Sequence, residues 1–167
     1  MARCLRLLFI STPVGPLGSG LGGGVELTVA NLATVLTQRG HRIAIAAPEN
    51  SHMPGIQLFQ IPGSLQPTAH TQGRDTPATT VGNAVLSNQW TYARRVQHSY
   101  DLIVNFAYDW LPFYLTPFFD IPIAHFVSMG SLSNVIDDAI IQVGEKFPGT
   151  LGAYTQTQID TFPAGPT

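Results

Sequence analysis

The stretch Gly18-Ser19-Gly20-Leu21-Gly22-Gly23-Gly24-Val25-Glu26 lies between a short apolar run, Leu5 to Ile10, and a long amphipathic segment. A turn this rich in glycine, set between a buried strand and a helix, brings bare backbone amides close to whatever it faces. The first turn of the helix adds unpaired N–H groups and the positive end of its dipole, which favours an anionic guest. A chain carrying such a turn is strongly constrained towards a strand–turn–helix unit with a ligand at the turn.

The flanking sequence completes that unit. Leu5 to Ile10 is continuously apolar and ends before Pro13, as suits a strand buried on both faces. Val25, Val29, Leu32 and Leu36 recur at four-three-four spacing with Ala30 and Ala33 beside them, so one helical stripe faces a core. Gly40 stops that helix, and Arg42 to Ala47 gives a second apolar strand ended by Pro48. Together these form a βαβ unit.

Further along, Ile56 to Ile61 reads as a third strand. Residues 62–78 contain three prolines and many Ser, Thr, Gln and His residues, which marks a long functional or mobile loop. Thr79 or Thr80 is placed to cap a helix running to about Ser99, with Val81, Val85, Trp90 and Val96 on its apolar side. Asp101 to Phe106 is a fourth strand, and Phe113 to Phe119 is too broken by proline for a long helix. Ile121 to Val127, a helix from Ser131 to Lys146, a strand at Thr150 to Thr155 and a helical turn from Gln156 to Phe162 complete the pattern. Alternating strands and helices predict an α/β fold, a Rossmann-like parallel sheet flanked by helices, in one domain over residues 1–167. The ligand crevice of such a sheet lies at the carboxyl ends of the strands, where Pro13–Gly24, Ala107–Trp110 and Ser128–Ser131 are expected to converge.

Charge narrows the function classes. Eight basic and ten acidic residues give a net charge of −2, and the basic ones are scattered, which argues against nucleic acid as a partner. Charged residues make up 11% of the chain, against roughly 25% in an ordinary soluble domain, so part of the surface is expected to be covered by another domain or subunit. The lone cysteine, Cys4, fits a reducing compartment, and no apolar run reaches the ~20 residues of a transmembrane segment. The expected location is cytoplasmic. His52, His70 and His98 share no metal-ligand spacing, so no metal is expected.

Gly18-x-Gly20-x-x-Gly23 also satisfies the dinucleotide fingerprint GxGxxG, which keeps an oxidoreductase domain open. Two features speak against it. The motif sits beyond the tight turn after the strand, and the second strand ends at Ala46-Ala47-Pro48 with no acidic residue for a ribose.

A different parse starts at Gly23-Gly24-Val25-Glu26 and runs through Leu32-Ala33 and Leu36 to Gly40-His41-Arg42-Ile43. Tyr100-Asp101-Leu102-Ile103-Val104, Asp109-Trp110, Ile121-Pro122-Ile123-Ala124-His125 and Tyr154-Thr155-Gln156 continue it. This pattern resembles the N-terminal domain of group-1 (family 4) GT-B glycosyltransferases over nearly the whole chain, with most of the specificity in the first forty residues or so. Ser11-Thr12-Pro13-Val14-Gly15-Pro16-Leu17-Gly18-Ser19-Gly20 and His125-Phe126-Val127-Ser128-Met129-Gly130-Ser131 are also similar to the cyanobacterial pterin glucosyltransferases, which move glucose from UDP-glucose to tetrahydrobiopterin.

The resemblance implies half of a two-domain enzyme. The N-terminal domain would hold a small-molecule acceptor, and its glycine loop would approach the donor diphosphate. A C-terminal domain, absent from this chain, would hold most of the nucleotide sugar. It implies a retaining transfer with UDP-glucose as co-substrate and no tightly bound cofactor, and this chain alone is expected to be inactive. Gly22, Gly23, Gly24, Glu26 and Asp109 are the expected donor-diphosphate and acceptor contacts. Ser128 stands where many members of the family carry a histidine, so Ser128 and the nearby His125 are the catalytic candidates. Each has a plainer reading: Glu26 as a favourable charge at a helix start, His125 as a satisfied core histidine, Asp109 as a helix cap. Besides the oxidoreductase, a truncated non-enzymatic binding or interaction module also remains open.

Overall fold

The computed structural model describes residues 3–163. Six strands, β1 (Arg6–Ile10), β2 (Arg42–Pro48), β3 (Gln57–Ile61), β4 (Leu102–Asn105), β5 (Ile123–Phe126) and β6 (Leu151–Gly152), form one sheet. Their order is β3-β2-β1-β4-β5-β6, and every pairing is parallel. The chain builds outward from β1 to β3, then returns across β1 to start β4. This is the Rossmann-like order, and its topological switch point falls between β1 and β4.

The alternation of side chains along β1 explains the layers. Leu7 and Phe9 point to one face, where Ile43, Ile45 and Ala47 meet Val29 and Ala33 of helix α1 (Gly24–Gln38). Leu8 and Ile10 point to the other, against Val85, Leu86, Trp90 and Ala93 of helix α2 (Val85–Val96). A third cluster joins Phe113 of helix α3 (Trp110–Leu115) to Ala139, Ile140 and Val143 of helix α4 (Asn134–Lys146). Fully burying a side chain such as Phe9 contributes about 2–3 kcal/mol, so Phe9→Ala strikes both the sheet and the α1 layer. A short helix, α5 (Gln156–Ile159), follows β6. Among the described residues no helix is long and apolar enough to cross a membrane.

Two helix starts differ from expectation. Helix α2 begins at Val85, not at Thr79 or Thr80. The backbone of residues 83–85 is already engaged by the loop: Ser64 N–H donates to the Asn83 carbonyl at 2.8 Å and Val85 N–H to the Ser64 carbonyl at 3.0 Å. Asn83 is left-handed, with φ 51°, so helical backbone cannot extend back through it. Helix α4 begins at Asn134 because Ser131 is used elsewhere, its hydroxyl donating to Asp137 at 2.6 Å and its carbonyl accepting from Arg74 at 3.0 Å. The tail from Ala164 to Thr167 lies outside the described residues.

Candidate functional site

A cavity of about 560 Å³ opens at the carboxyl ends of the strands beside the switch point. Three segments line it: Thr12–Val14 after β1, Tyr108–Trp110 after β4, and Ser128–Met129 after β5. The glycine loop forms one rim through Leu21–Val25, and the segment 66–79 supplies the opposite wall.

The glycine loop is organised by Glu26. Its buried carboxylate accepts the amides of Gly18 at 2.9 Å, Gly20 at 3.1 Å and Gly22 at 2.6 Å, with the Ser19 hydroxyl at 3.4 Å. An acid at the third position of α1 therefore folds the preceding loop onto itself and satisfies its donors internally. Gly22 is required by space: a Cβ there would lie 2.8 Å from Glu26 Cγ and 2.9 Å from Thr12 Cγ2. Gly23 is required by backbone, since it precedes α1 with φ 58° and ψ −136° and no side chain caps the helix. Glu26, an expected ligand contact, has its oxygens turned into the loop and does not line the cavity. What faces outward instead is the start of α1, where the Gly24 and Val25 amides have no hydrogen-bond partner among the described residues.

Asp109 faces the cavity and also precedes α3, where its Oδ1 accepts the Leu111 amide at 2.9 Å. Burial pushes its carboxyl up from the ordinary carboxylate range, and the Leu111 amide only partly opposes this. Both readings of Asp109 thus describe one side chain: one oxygen caps, and the other is left for the cavity. Ser128 lines the same cavity, and its buried hydroxyl oxygen has no partner among the described residues.

His125 is elsewhere. It is 1% exposed in the core, with Nδ1 at 3.2 Å from Asn105 Nδ2, Nε2 at 2.9 Å from Thr116 Oγ1, and the Phe113 ring 4.7 Å away. Burial drives its pKa down to about 3, so the imidazole is neutral at physiological pH. His125, a catalytic candidate from the sequence, lies on β5 beside Phe113 and Thr116 and does not line the cavity, whereas Ser128, beyond the strand end, does.

The sequence reading missed the closure of the far wall. Arg74, alone among cations in the long loop, donates to Ser131 Oγ at 2.9 Å, Asn134 Oδ1 at 3.2 Å, Asp137 Oδ2 at 3.3 Å and the Ser131 carbonyl at 3.0 Å. Asp137 is 2% exposed, so Arg74 straps the loop across the sheet end onto a buried carboxylate. The signal was the one lysine or arginine of the long loop in a charge-poor chain, followed directly by Asp75, with an acid one turn into a later helix. Across the mouth, Tyr154 Oη and Thr28 Oγ1 lie 2.6 Å apart and tie α1 to the segment after β6.

The charge of the lining decides what the cavity suits. Among the described residues that line it there is one carboxylate, Asp109, and no lysine or arginine. Phe106, Tyr108 and Trp110 supply aromatic wall, while Thr12, Thr28, Gln66 and Thr76 supply uncharged polar groups. Such a surface receives a neutral, partly planar, hydrogen-bonding molecule; a polyanion finds no lysine or arginine, only His70 and the two amides at the start of α1. No group of three or more metal-binding side chains assembles among the described residues. In comparisons with known proteins, no family profile matches the chain, and no curated protein matches it.

Proposed function

We propose that this chain is the acceptor-side domain of a retaining GT-B glycosyltransferase of the group-1 type, and that the cavity takes a small acceptor such as a reduced pterin. The observation that carries this reading is a lining with one carboxylate, aromatic walls and no fixed cation at the switch point of a Rossmann-like sheet. Asp109 accepts a hydrogen bond from an acceptor hydroxyl or ring N–H, and Ser128 lines the cavity beside it with its hydroxyl turned inward. Transfer then breaks the bond between the anomeric carbon and the donor diphosphate and forms one to the acceptor oxygen, whose proton leaves with the diphosphate. The Gly24 and Val25 amides at the start of α1 are placed to stabilise charge on that departing group.

UDP-glucose would be held mainly by a second domain or subunit closing over the cavity, in the cytoplasm. Exposed Leu21, Val81 and Tyr154 around the cavity suit such a cover. A dinucleotide is disfavoured because the loop amides that would meet its pyrophosphate already serve Glu26, and β2 ends in proline.

Calorimetric titration of the chain with tetrahydrobiopterin, UDP-glucose and NADH separates the readings. Saturable binding of the pterin and little of the other two is expected. Tight NADH binding would overturn the proposal in favour of an oxidoreductase domain. Binding of none of the three would leave a non-enzymatic module as the better account. No glucose transfer is expected from this chain alone.

A further inference from the structure

We propose that Asn105 and His125 are positioning residues: a buried clip that holds the turn 107–112, and with it Asp109, against the cavity. The inference rests on the cavity being the functional site, and it assigns a task to buried polar groups that do not themselves reach that cavity.

The register of the sheet creates the clip. Asn105 is the last residue of β4 and pairs with His125 on the neighbouring parallel strand, so both side chains project to the same face. Both are buried at 1% exposure, where polar groups persist only if they are paired. Asn105 closes on one residue ahead of the site from both sides: its Oδ1 accepts the Ala107 amide at 3.1 Å, and its Nδ2 donates to the Ala107 carbonyl at 3.0 Å.

That geometry fixes the direction of every remaining bond. With its Oδ1 accepting, Asn105 presents N–H to His125 Nδ1 at 3.2 Å, so Nδ1 is the bare nitrogen and Nε2 carries the proton. Nε2–H donates to Thr116 Oγ1 at 2.9 Å, and the Thr116 hydroxyl donates to the Pro112 carbonyl at 3.2 Å. Ala107 and Pro112 bracket Tyr108, Asp109, Trp110 and Leu111. One continuous chain of hydrogen bonds thus grips both ends of the turn that supplies the only carboxylate among the described cavity-lining residues. A protonated imidazole would present two donors and break the Asn105 bond; burial keeps it neutral.

The clip is tested on the whole chain without ligand, by following the Asp109 carboxyl carbon by NMR across pH, with the signal assigned by its loss in D109N. In the wild type, Asp109 titrates above the ordinary carboxylate range. In Asn105→Ala its midpoint is expected to fall towards that range as the turn admits water, while the remote Asp101 carboxyl stays near 2 and the thermal transition stays cooperative. Thr116→Val, nearly isosteric, removes the acceptor of the imidazole N–H and the donor to the Pro112 carbonyl while leaving the Asn105–Ala107 bonds in place, and is expected to lower the Asp109 midpoint less, in the same direction. It serves in place of Asn105→Ala if that variant does not fold. An unchanged Asp109 midpoint in either folded variant overturns the proposal. Because no ligand takes part, that failure is distinct from a failure of the acceptor reading, which shows only in the pterin titration.

Discussion

Glu26 Oε1 accepts the Gly22 amide at 2.6 Å, and the same side chain, with Thr12, fills the space a Cβ on residue 22 would need. The glycine and the acid are therefore one device. The acid gathers the loop amides, and the missing side chain lets it come close enough to do so. The loop reaches the cavity already ordered, so little conformational entropy remains to be lost when a ligand meets its rim.

Gly22→Ala forces Glu26 and Thr12 apart and is expected to cost about 1–3 kcal/mol. Gly24→Ala is expected to change stability by less than about 1 kcal/mol, since a Cβ there has no heavy atom within 4 Å and the residue is already helical. Urea midpoints of the two variants check the contrast. In a complete two-domain enzyme, Gly23→Val is expected to abolish turnover; unchanged turnover would remove the loop from the mechanism.

Asp109→Asn keeps an oxygen for the Leu111 amide, and asparagine and aspartate cap about equally well. It also removes a carboxylate that burial disfavours. With its folded pKa raised, Asp109 binds more protons in the native than in the unfolded chain. Its contribution therefore falls as pH rises from the unfolded carboxylate range through the raised value. At pH 7 the Asn variant is expected to melt at the same temperature or slightly higher, while losing roughly tenfold or more in pterin affinity. A fall in both would reduce Asp109 to a cap.

His125 sets the opposite slope. Its folded pKa of about 3 lies below the ordinary histidine value of 6.5, so the unfolded chain binds the extra proton. Stability is then full above the unfolded value and is lost as pH falls from about 6.5 towards about 3. Protonating it in place costs on the order of 5 kcal/mol more than protonating it in the unfolded chain. Urea denaturation at intervals from pH 4 to 7 is expected to show stability rising with pH in the wild type, and a flatter profile in His125→Phe. Asp101 adds a second loss at lower pH: the Arg6 side chain and amide hold its carboxyl down to about 2, so its stabilisation goes as pH falls from the unfolded carboxylate value to about 2.

Arg74→Ala unties the 62–84 segment and leaves the Asp137 carboxylate buried beside Ser131 alone. A loss of about 1–3 kcal/mol is expected, moderated because the guanidinium is half exposed. Thermolysin cleavage near Leu65 and Val81 should quicken several-fold as the strap opens. Adding Asp137→Asn to Arg74→Ala should recover part of the stability, since the uncompensated charge goes with it. A double variant no better than the single one would show that the strap, and not the charge, carries the cost.

The strands and helices were legible because their signals are local. Leu7 to Ile10 is continuously apolar, Val29 and Ala33 fall on one helical stripe, and Gly40 ends α1 at φ 89°. Where a helix end depended on a distant partner, the local signal misled. Thr79 and Thr80 look like caps until Ser64 takes hold of residues 83–85. The candidate site divided in the same way. Gly22 to Gly24, Asp109 and Ser128 reach the cavity because each lies just beyond a strand end or at a helix start. Which way Glu26 and His125 point was settled by contacts no spacing rule contains.

By itself the sequence determined the α/β class, the succession of strands and helices, and the glycine turn at the sheet's carboxyl end. Each follows from hydrophobic period and backbone freedom within a few residues. Only the tertiary structure decided that Glu26 serves its own loop, that Asn105 and His125 lock together through the β4–β5 register, and that Arg74 closes the far wall onto Asp137. Those outcomes join residues separated by up to about sixty positions. A buried polar group must find a partner in three dimensions, and where along the chain that partner lies has no bearing on the requirement.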